Sequence, residues 1–385
     1  MNEIRLFHEA SPLLTECQPS LPGRSYYDPE WYDSELSKVW GRNWIYVGRE
    51  NALPTMTMRR ISVANQNLIL IKDQDGHISS FLNSCRHRGS ELCTVAERRL
   101  TSSLIACPYH NWTYTIAGEL QKTPLASLPP DFDKRDYGLI PVHVTTWNGF
   151  IFACLADRPP DFARGIDPQP QVFDNWPMAD LIVGDTFHHE IACNWKVFWE
   201  NYNECLHCPG IHPGLCDLVP VYRKGMMSYD AAPDWTPDKK GPQHGLRPGA
   251  RTWTKSGNLC GPEFPGLSED EKSSGYAYAT LLPTMFISAH VDYVRAVSLT
   301  PLGPERTALR AEWLFPQKTL DAPGFDLEDV VGFARTVMQE DAFACEMNQR
   351  GLRNAKFKHG ILVPQEYAVA HFQNWLRHEL VRDAP

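Results

Sequence analysis

The stretch Cys85–His110, CRHRGSELCTVAERRLTSSLIACPYH, opens with Cys-x-His and closes with Cys-x-x-His. Two thiolates and two imidazoles in separated pairs suit a metal held between two loops. One candidate is a structural zinc, for which two Cys and two His are a common tetrahedral set. The other is a [2Fe–2S] cluster in which two Cys hold one iron and two His hold the other. Arg86, Arg88 and Gly89 follow the first Cys, and Pro108-Tyr109 lie inside the second pair. Gly and Pro shape tight loops there, over which other backbone N–H groups can reach cluster sulfurs. A zinc finger folds a short peptide around its metal, whereas these loops belong to a β-rich module of about a hundred residues that can bury its own core. Spacing favours the cluster and leaves zinc open.

Outward from these pairs, residues 51–156 carry short β-rich runs such as NLILIKD and GFIFACL, separated by Gly, Asn and Asp turns. Upstream, SYYDPEWYDSELSKVWGRNWI (25–45) has spaced aromatics and Asp28-Pro29 at a helix start. Downstream, DLIVGDTFHHEIACNW reads as a strand and WKVFWENYNECLHC as a helix. Residues 230–274 form a long irregular stretch rich in Pro, Gly, Asp, Lys and Ser, a kind of loop that is functional or mobile. Four alternating runs follow, GYAYATLLP, MFISAHV, YVRAVSLTPLG and TALRAEWLFP, and then a helix from about Leu327 to Arg350. The expected division is a helical segment (1–45), a β module (46–160) and a C-terminal domain (161–385) on which the helical segment packs. No internal repeat is visible.

At 385 residues the chain exceeds the size of a single core, so two domains are expected. Lys and Arg number 37 against 46 Asp and Glu, and the net charge of −9 gives no general attraction to nucleic acid or an anionic membrane. MNEIRLFHEASPLLTECQPS lacks a basic region followed by an apolar core, so it does not read as a secretory signal, and no apolar run could span a bilayer. Eleven Cys, several beside His, suit a reducing cytoplasm and metal ligation better than a disulfide framework.

A second constellation lies in ENYNECLHCPGIHP. Pro209 is expected to end the helix, placing His207 on its last turn and His212 on the following loop, near enough to share a metal. Two His become persuasive with a carboxylate, because two His and one carboxylate form the open site of non-haem Fe(II) oxygenases. Along LEDVVGFARTVMQEDAFACEMNQRGL the apolar stripe runs Val330, Phe333, Ala334, Val337, Met338, Ala344 and Cys345, and Asp341 falls in its middle. A carboxylate on a buried face needs a positive partner, either a metal or an internal Arg or backbone donor. Glu340, Glu346 and Asp329 lie off the stripe and read as solvated.

The combination CRHRG…CPYHNWTY, NWKVFWENYNECLHCPGIH and QEDAFACEMNQRGL resembles the large (alpha) subunits of Rieske non-haem iron oxygenases over nearly the whole chain. The resemblance implies an α+β fold: an all-β Rieske [2Fe–2S] domain, and a helix-grip (START-like) catalytic domain with an antiparallel sheet and mononuclear iron. It implies Cys85, His87, Cys107 and His110 as cluster ligands, and His207, His212 and Asp341 as iron ligands. The interval before Cys107 is longer than in many members, with TVAERRLTSS as the expanded turn. The family assembles as rings of three chains, each cluster beside a neighbour's iron, and an acidic residue bridges the subunits. Glu204 matches that residue, three before His207 and so on the same helical face.

Many members have Asp at that position. Glu within NECLHC is similar to the branch that oxidises quaternary ammonium compounds such as glycine betaine, carnitine and stachydrine. The implied activity is N-demethylation or C-hydroxylation of a small substrate by a Rieske-type oxygenase. It would use O2 and electrons from NAD(P)H through a separate flavin or ferredoxin-type reductase. A quaternary ammonium group is held by ring faces, and the catalytic half offers Tyr202, Trp253, Tyr276, Tyr278, Phe286 and Tyr293, with Trp199 and Trp313 also available. Such a lining would also suit ring hydroxylation or O- or N-demethylation of an aromatic substrate. Outside this class stand a Rieske electron carrier and a zinc-stapled binding protein, which is colourless where a Rieske cluster is red-brown.

Replacing His110 by Cys is expected to lower the cluster's reduction potential, because a thiolate puts more negative charge on iron than an imidazole does. Protein-film voltammetry reads this, and an unchanged potential with an intact cluster would remove His110 from the ligand set.

Overall fold

The computed structural model describes residues 12–232 and 245–382. They fall into two units, one of residues 36–162 and one of residues 12–35 with 163–382. The segment before residue 36 therefore sorts with the catalytic part, while residues 36–45 sort with the β module.

The unit of residues 36–162 is built on a seven-stranded antiparallel sheet in the order Ile45–Arg49, Phe150–Cys154, Pro141–Trp147, Ile78–Leu82, Gln66–Lys72, Thr57–Val63, Glu97–Arg99. The inner strand Gln66–Lys72 reads NLILIK because both faces are covered. Ile69 and Ile71 enter one core with Phe81, Ile105 and Tyr114, and Leu70 enters another with Leu53 and Ile151. The run expected to be an expanded turn contains the last strand, with Glu97–Arg99 pairing antiparallel with Thr57–Arg59. Its three consecutive charged residues fit an exposed edge strand, a pattern that reads as loop in sequence.

A small three-stranded sheet (Leu104–Ala106, Thr113–Thr115, Leu120–Lys122) completes the unit. The two Cys/His loops are built alike. Gly89 donates to the Cys85 carbonyl at 2.9 Å, and Asn111 to the Cys107 carbonyl at 3.0 Å. Both have positive φ, +75° and +58°, which Gly and Asn tolerate best.

The other unit is organised by a six-stranded antiparallel sheet in the order Ile166–Asp167, Tyr276–Leu281, Met285–His290, Val294–Gly303, Arg306–Phe315, Ile182–Ile191. Eight α-helices accompany it among the described residues: α1 (Pro29–Glu35), α2 (Trp195–Tyr202), α3 (Cys208–Ile211), α4 (Pro213–Leu218), α5 (Glu269–Ser274), α6 (Gln317–Leu320), α7 (Leu327–Leu352) and α8 (Tyr367–Val381). Helix α7 packs on α2 and on the strand Ile182–Ile191, and α8 on α2. α8 was not foreseen, because YAVAHFQNWLRHELV mixes His, Asn and Arg into its apolar positions. In the long irregular stretch, Ser268 and Glu271 form a capping box that starts α5, and residues 233–244 lie outside the described residues.

Asp28 starts α1 as expected, its Oδ1 accepting from Glu30 N at 2.9 Å. At the other end of α1, Glu35 is fully buried and receives Lys196 Nζ at 2.7 Å and Trp195 Nε1 at 2.8 Å. Beside it, burial pushes the Glu200 carboxyl up to about 7 against hydrogen bonds from Tyr26 and Gln373. These links pin α2, the helix that leads into the histidine loop, near both ends. Breaking a buried ion pair leaves an uncompensated charge, so Lys196→Met is expected to cost about 3–5 kcal/mol. Urea unfolding measures this, and adding Glu35→Met should recover most of the loss; unchanged stability in the single variant would remove the pair's role.

Candidate metal centres

Asn194 caps α2, its side chain accepting from Lys196 N at 3.0 Å, and the helix runs only to Tyr202. Glu204 and His207 therefore lie in the loop beyond it, not on a helical face. Pro209 does not end a helix but sits in the first turn of α3, where its missing N–H has no intrahelical partner to lose. His207 is the N-cap of α3, and His212 joins α3 to α4. The sequence placed the two residues near each other but assigned the wrong backbone to them.

His207 and His212 face each other across 5.1 Å between ring centroids. Asp341 Oδ1 stands 2.9 Å from His212 Nε2 and 3.5 Å from His207 Nε2. Two ligands at right angles, each about 2.1 Å from an ion, are about 3 Å apart, so these three atoms fit one metal. Each imidazole's other nitrogen meets a second carboxylate: His207 Nδ1 lies 2.5 Å from Glu204, and His212 Nδ1 lies 2.7 Å from Glu340. Burial opposes charge on His207, yet Asp341 and Glu204 outweigh it and push its pKa up to about 9. The same balance raises His212, through Asp341 and Glu340. The pocket is built for positive charge. Outward-turned nitrogens held by carboxylates fix the tautomer that presents Nε2 to a metal.

Glu340 thus corrects the expectation of a solvated residue. Its helical phase is off the apolar stripe, but His212 comes to it from α3–α4. Asp329 accepts from Ser256 N and Oγ at 2.8 and 2.7 Å, and Glu346 from Ala192 N at 3.1 Å, so neither is merely solvated. Only long-range placement reveals such partners.

In the β unit, Cys85 and Cys107 are buried at 3% and 1% exposure, and burial, together with Cys107, raises the Cys85 thiol. His87 and His110 stand together toward solvent, their rings 4.7 Å apart, with Trp112 stacked on His87 at 4.7 Å. Two thiols inside and two imidazoles outside suit a two-iron cluster with one side of each kind. Tyr114 was not foreseen. Its hydroxyl accepts from Arg86 N at 3.0 Å and lies 3.1 Å from Cys85 Sγ.

A further difference concerns Cys205 and Cys208, which form a disulfide bracketing His207. Three residues apart at a helix start, their Cα atoms are 5.0 Å apart, within disulfide range.

The candidate cage residues divide. Trp253, Tyr276 and Tyr278 pack together, with ring centroids 5.0 and 4.9 Å apart. They are joined by Tyr222, whose hydroxyl is 3.0 Å from that of Tyr278 and which the sequence reading missed. This cluster is continuous with Cys208, Leu215, Phe333 and Val337 around the triad. Tyr202 stacks on Phe286 at 4.0 Å, with Trp199 edge-on to both. Tyr293 stacks on His290 at 4.4 Å, and Trp313 lies below Arg335.

The sequence pattern of the ring hydroxylating alpha subunit (catalytic domain) matches residues 178–381, and that of the Rieske [2Fe–2S] domain matches residues 43–133. The chain is 27% identical over 383 residues to the glycine betaine monooxygenase oxygenase subunit of Chromohalobacter salexigens, covering 92% of this chain and 84% of that one. It is 27% identical over 375 residues to the carnitine monooxygenase oxygenase subunit of Acinetobacter pittii, covering 92% and 93%. The crystal structure of the quaternary ammonium Rieske monooxygenase CntA with L-carnitine shares the fold, with a TM-score of 0.70, 20% identity, and 94% and 96% coverage.

Asp341→Ala is expected to empty the mononuclear site while the visible spectrum of the cluster persists, since the two ligand sets belong to separate units. Glu340→Gln should keep the triad but weaken iron retention about 10–100-fold. Iron analysis after graded chelation checks both, and wild-type retention in the Gln variant would dismiss Glu340 as a partner of His212.

Proposed function

Because the chain belongs to the ring-hydroxylating alpha-subunit family of Rieske non-haem iron oxygenases, we propose that it is the terminal oxygenase of a monooxygenase system acting on a small quaternary ammonium compound of the betaine type. The observation that carries the oxygenase reading is the convergence of His207, His212 and Asp341 on one point. Fe(II) held there would supply O2 activation at its open face. The residues do the rest: Glu204 and Glu340 orient the two imidazoles, and Cys208, Leu215 and Val337 set an apolar wall beside them. With O2, two electrons and two protons, an N-methyl group becomes N-hydroxymethyl plus water. That product releases formaldehyde, the electron pair returning to nitrogen and the hydroxyl proton to solvent.

Two grooves support the assignment of approaches. One, of about 490 Å³, reaches Glu204 and His207 and is rimmed by exposed Met347, Phe357 and Ile361. It suits the docking of another chain's cluster tip, where Tyr109 beside His110 is 57% exposed. A homotrimer with Glu204 as the electron bridge is part of this proposal, as are a separate reductase and a cytoplasmic setting. The other groove, also about 490 Å³, reaches Glu340 and carries Asp217, Asp326, Glu328 and Asp329 against Arg247 and Lys255. An acidic mouth draws cations, and Leu215, Phe333 and Val337 connect it to the Trp253–Tyr276 rings.

The test is O2 uptake and formaldehyde release by the enzyme reconstituted with a reductase, across betaines and simple aromatics. Turnover of a betaine with formaldehyde is expected, and turnover of aromatics alone would overturn the substrate class. Glu204→Gln should spare both metals and slow single-turnover oxidation of the pre-reduced cluster at least about 10-fold; wild-type rates would end the bridge assignment.

A further inference from the structure

The antiparallel register places Tyr278 opposite Ser288, Ser288 opposite Arg295, and Arg295 opposite Trp313. Residues directly opposite share a face of the sheet, so these four side chains form one row across it. The adjoining row holds Tyr276 opposite His290. Arg295 forms no ion pair with any described carboxylate, and its buried Nε has no hydrogen-bond partner among the described residues. Buried and likewise without a partner are Trp313 Nε1, Trp253 Nε1, Ser288 Oγ and both ring nitrogens of His290. Tyr278 and Trp313 in its own row, and Tyr276 and His290 in the next, put aromatic side chains on the face that carries Arg295.

Buried polar groups are nearly always paired, and each unpaired one costs stability. What gathers here is mostly donors: a guanidinium, two indole N–H groups, one N–H of neutral His290 and a hydroxyl, against one imidazole nitrogen and the hydroxyl oxygen as acceptors. Their common complement is an acceptor bearing negative charge, and a guanidinium fork is matched best by a carboxylate. The aromatic faces close by take the opposite kind of group, a cation without hydrogens to donate.

We propose that Arg295 anchors a carboxylate of the substrate, so that the site selects zwitterions over plain quaternary ammonium cations. The inference rests on the quaternary ammonium reading above for the cationic end alone. His290, on the same face, is suited to accept this arrangement in its neutral form, since burial and the nearby Arg295 lower its pKa. Trp313 and Ser288 stand on either side of Arg295 in the row.

The test is calorimetric binding to the metal-loaded protein of glycine betaine, of choline, which keeps the trimethylammonium group and lacks the carboxylate, and of benzoate. Arg295→Gln is expected to weaken glycine betaine on the order of 100-fold and to leave choline within about threefold. Arg295→Lys, which keeps the charge but not the fork, should fall between. The ligand-free Gln variant should unfold no earlier than wild type, since it loses an unpaired charge; this separates lost binding from lost folding. Equal losses for glycine betaine and choline, or none for either, would overturn the anchor. Should neither ammonium compound bind wild type while benzoate binds and is lost in Arg295→Gln, the anchor stands and the quaternary ammonium reading falls. If no carboxylate binds wild type, the anchor falls.

Discussion

The carboxylate of Asp341, carried on the packed stripe of α7, is the constraint from which the rest of the catalytic unit follows. A negative charge there is tolerated only beside positive groups, and both histidines must come to it because the helix cannot move. The Lys196–Glu35 pair and the Asn194 cap hold the start of α2, and α2 ends early enough for a loop and two short helical turns to deliver His207 and His212. Pro209 in the first turn of α3 and Pro213 in that of α4 set these turns without spending a donor. The site is thus assembled from one rigid helix and one tightly punctuated loop.

The β unit solves a similar problem with different means. Its candidate ligands lie on two loops with the same local form, each closed by a bond back to the cysteine carbonyl and turned by a residue of positive φ four positions later. The cysteines are drawn into the core with Ile105 and Tyr114, and the histidines remain outside on Trp112. Burial sorts these four side chains by chemistry: sulfur inward and imidazole outward. The imidazole side is therefore the side that another molecule can approach.

The candidate ligands stood out in the sequence because Cys/His spacing and helical phase are local signals. Cys85, His87, Cys107, His110, His207, His212 and Asp341 were all singled out, and the structure brings the last three together. The backbone around them was less legible. Pro209 reads equally as a terminator and as a first-turn residue, and only the following chain decides. Glu340, Tyr114 and Tyr222 stayed hidden because their partners are distant in sequence and their own phase is ordinary. The edge strand Glu97–Arg99 was taken for a turn since its residues are charged, and α8 was overlooked for lack of a clean apolar stripe.

Three carboxylates, from Glu204, Glu340 and Asp341, surround two imidazoles in the metal pocket. A divalent ion cancels two of their charges and leaves one over. The unit therefore has a pole of negative sign at the metal and one of positive sign at Arg295, with rings of Tyr222, Tyr276 and Tyr278 in the same cluster as the loop that carries His207. Between such poles a dipolar molecule has one favourable heading, as a needle has in a field. Regiochemistry would then be set before any close contact forms, by the direction in which the molecule arrives.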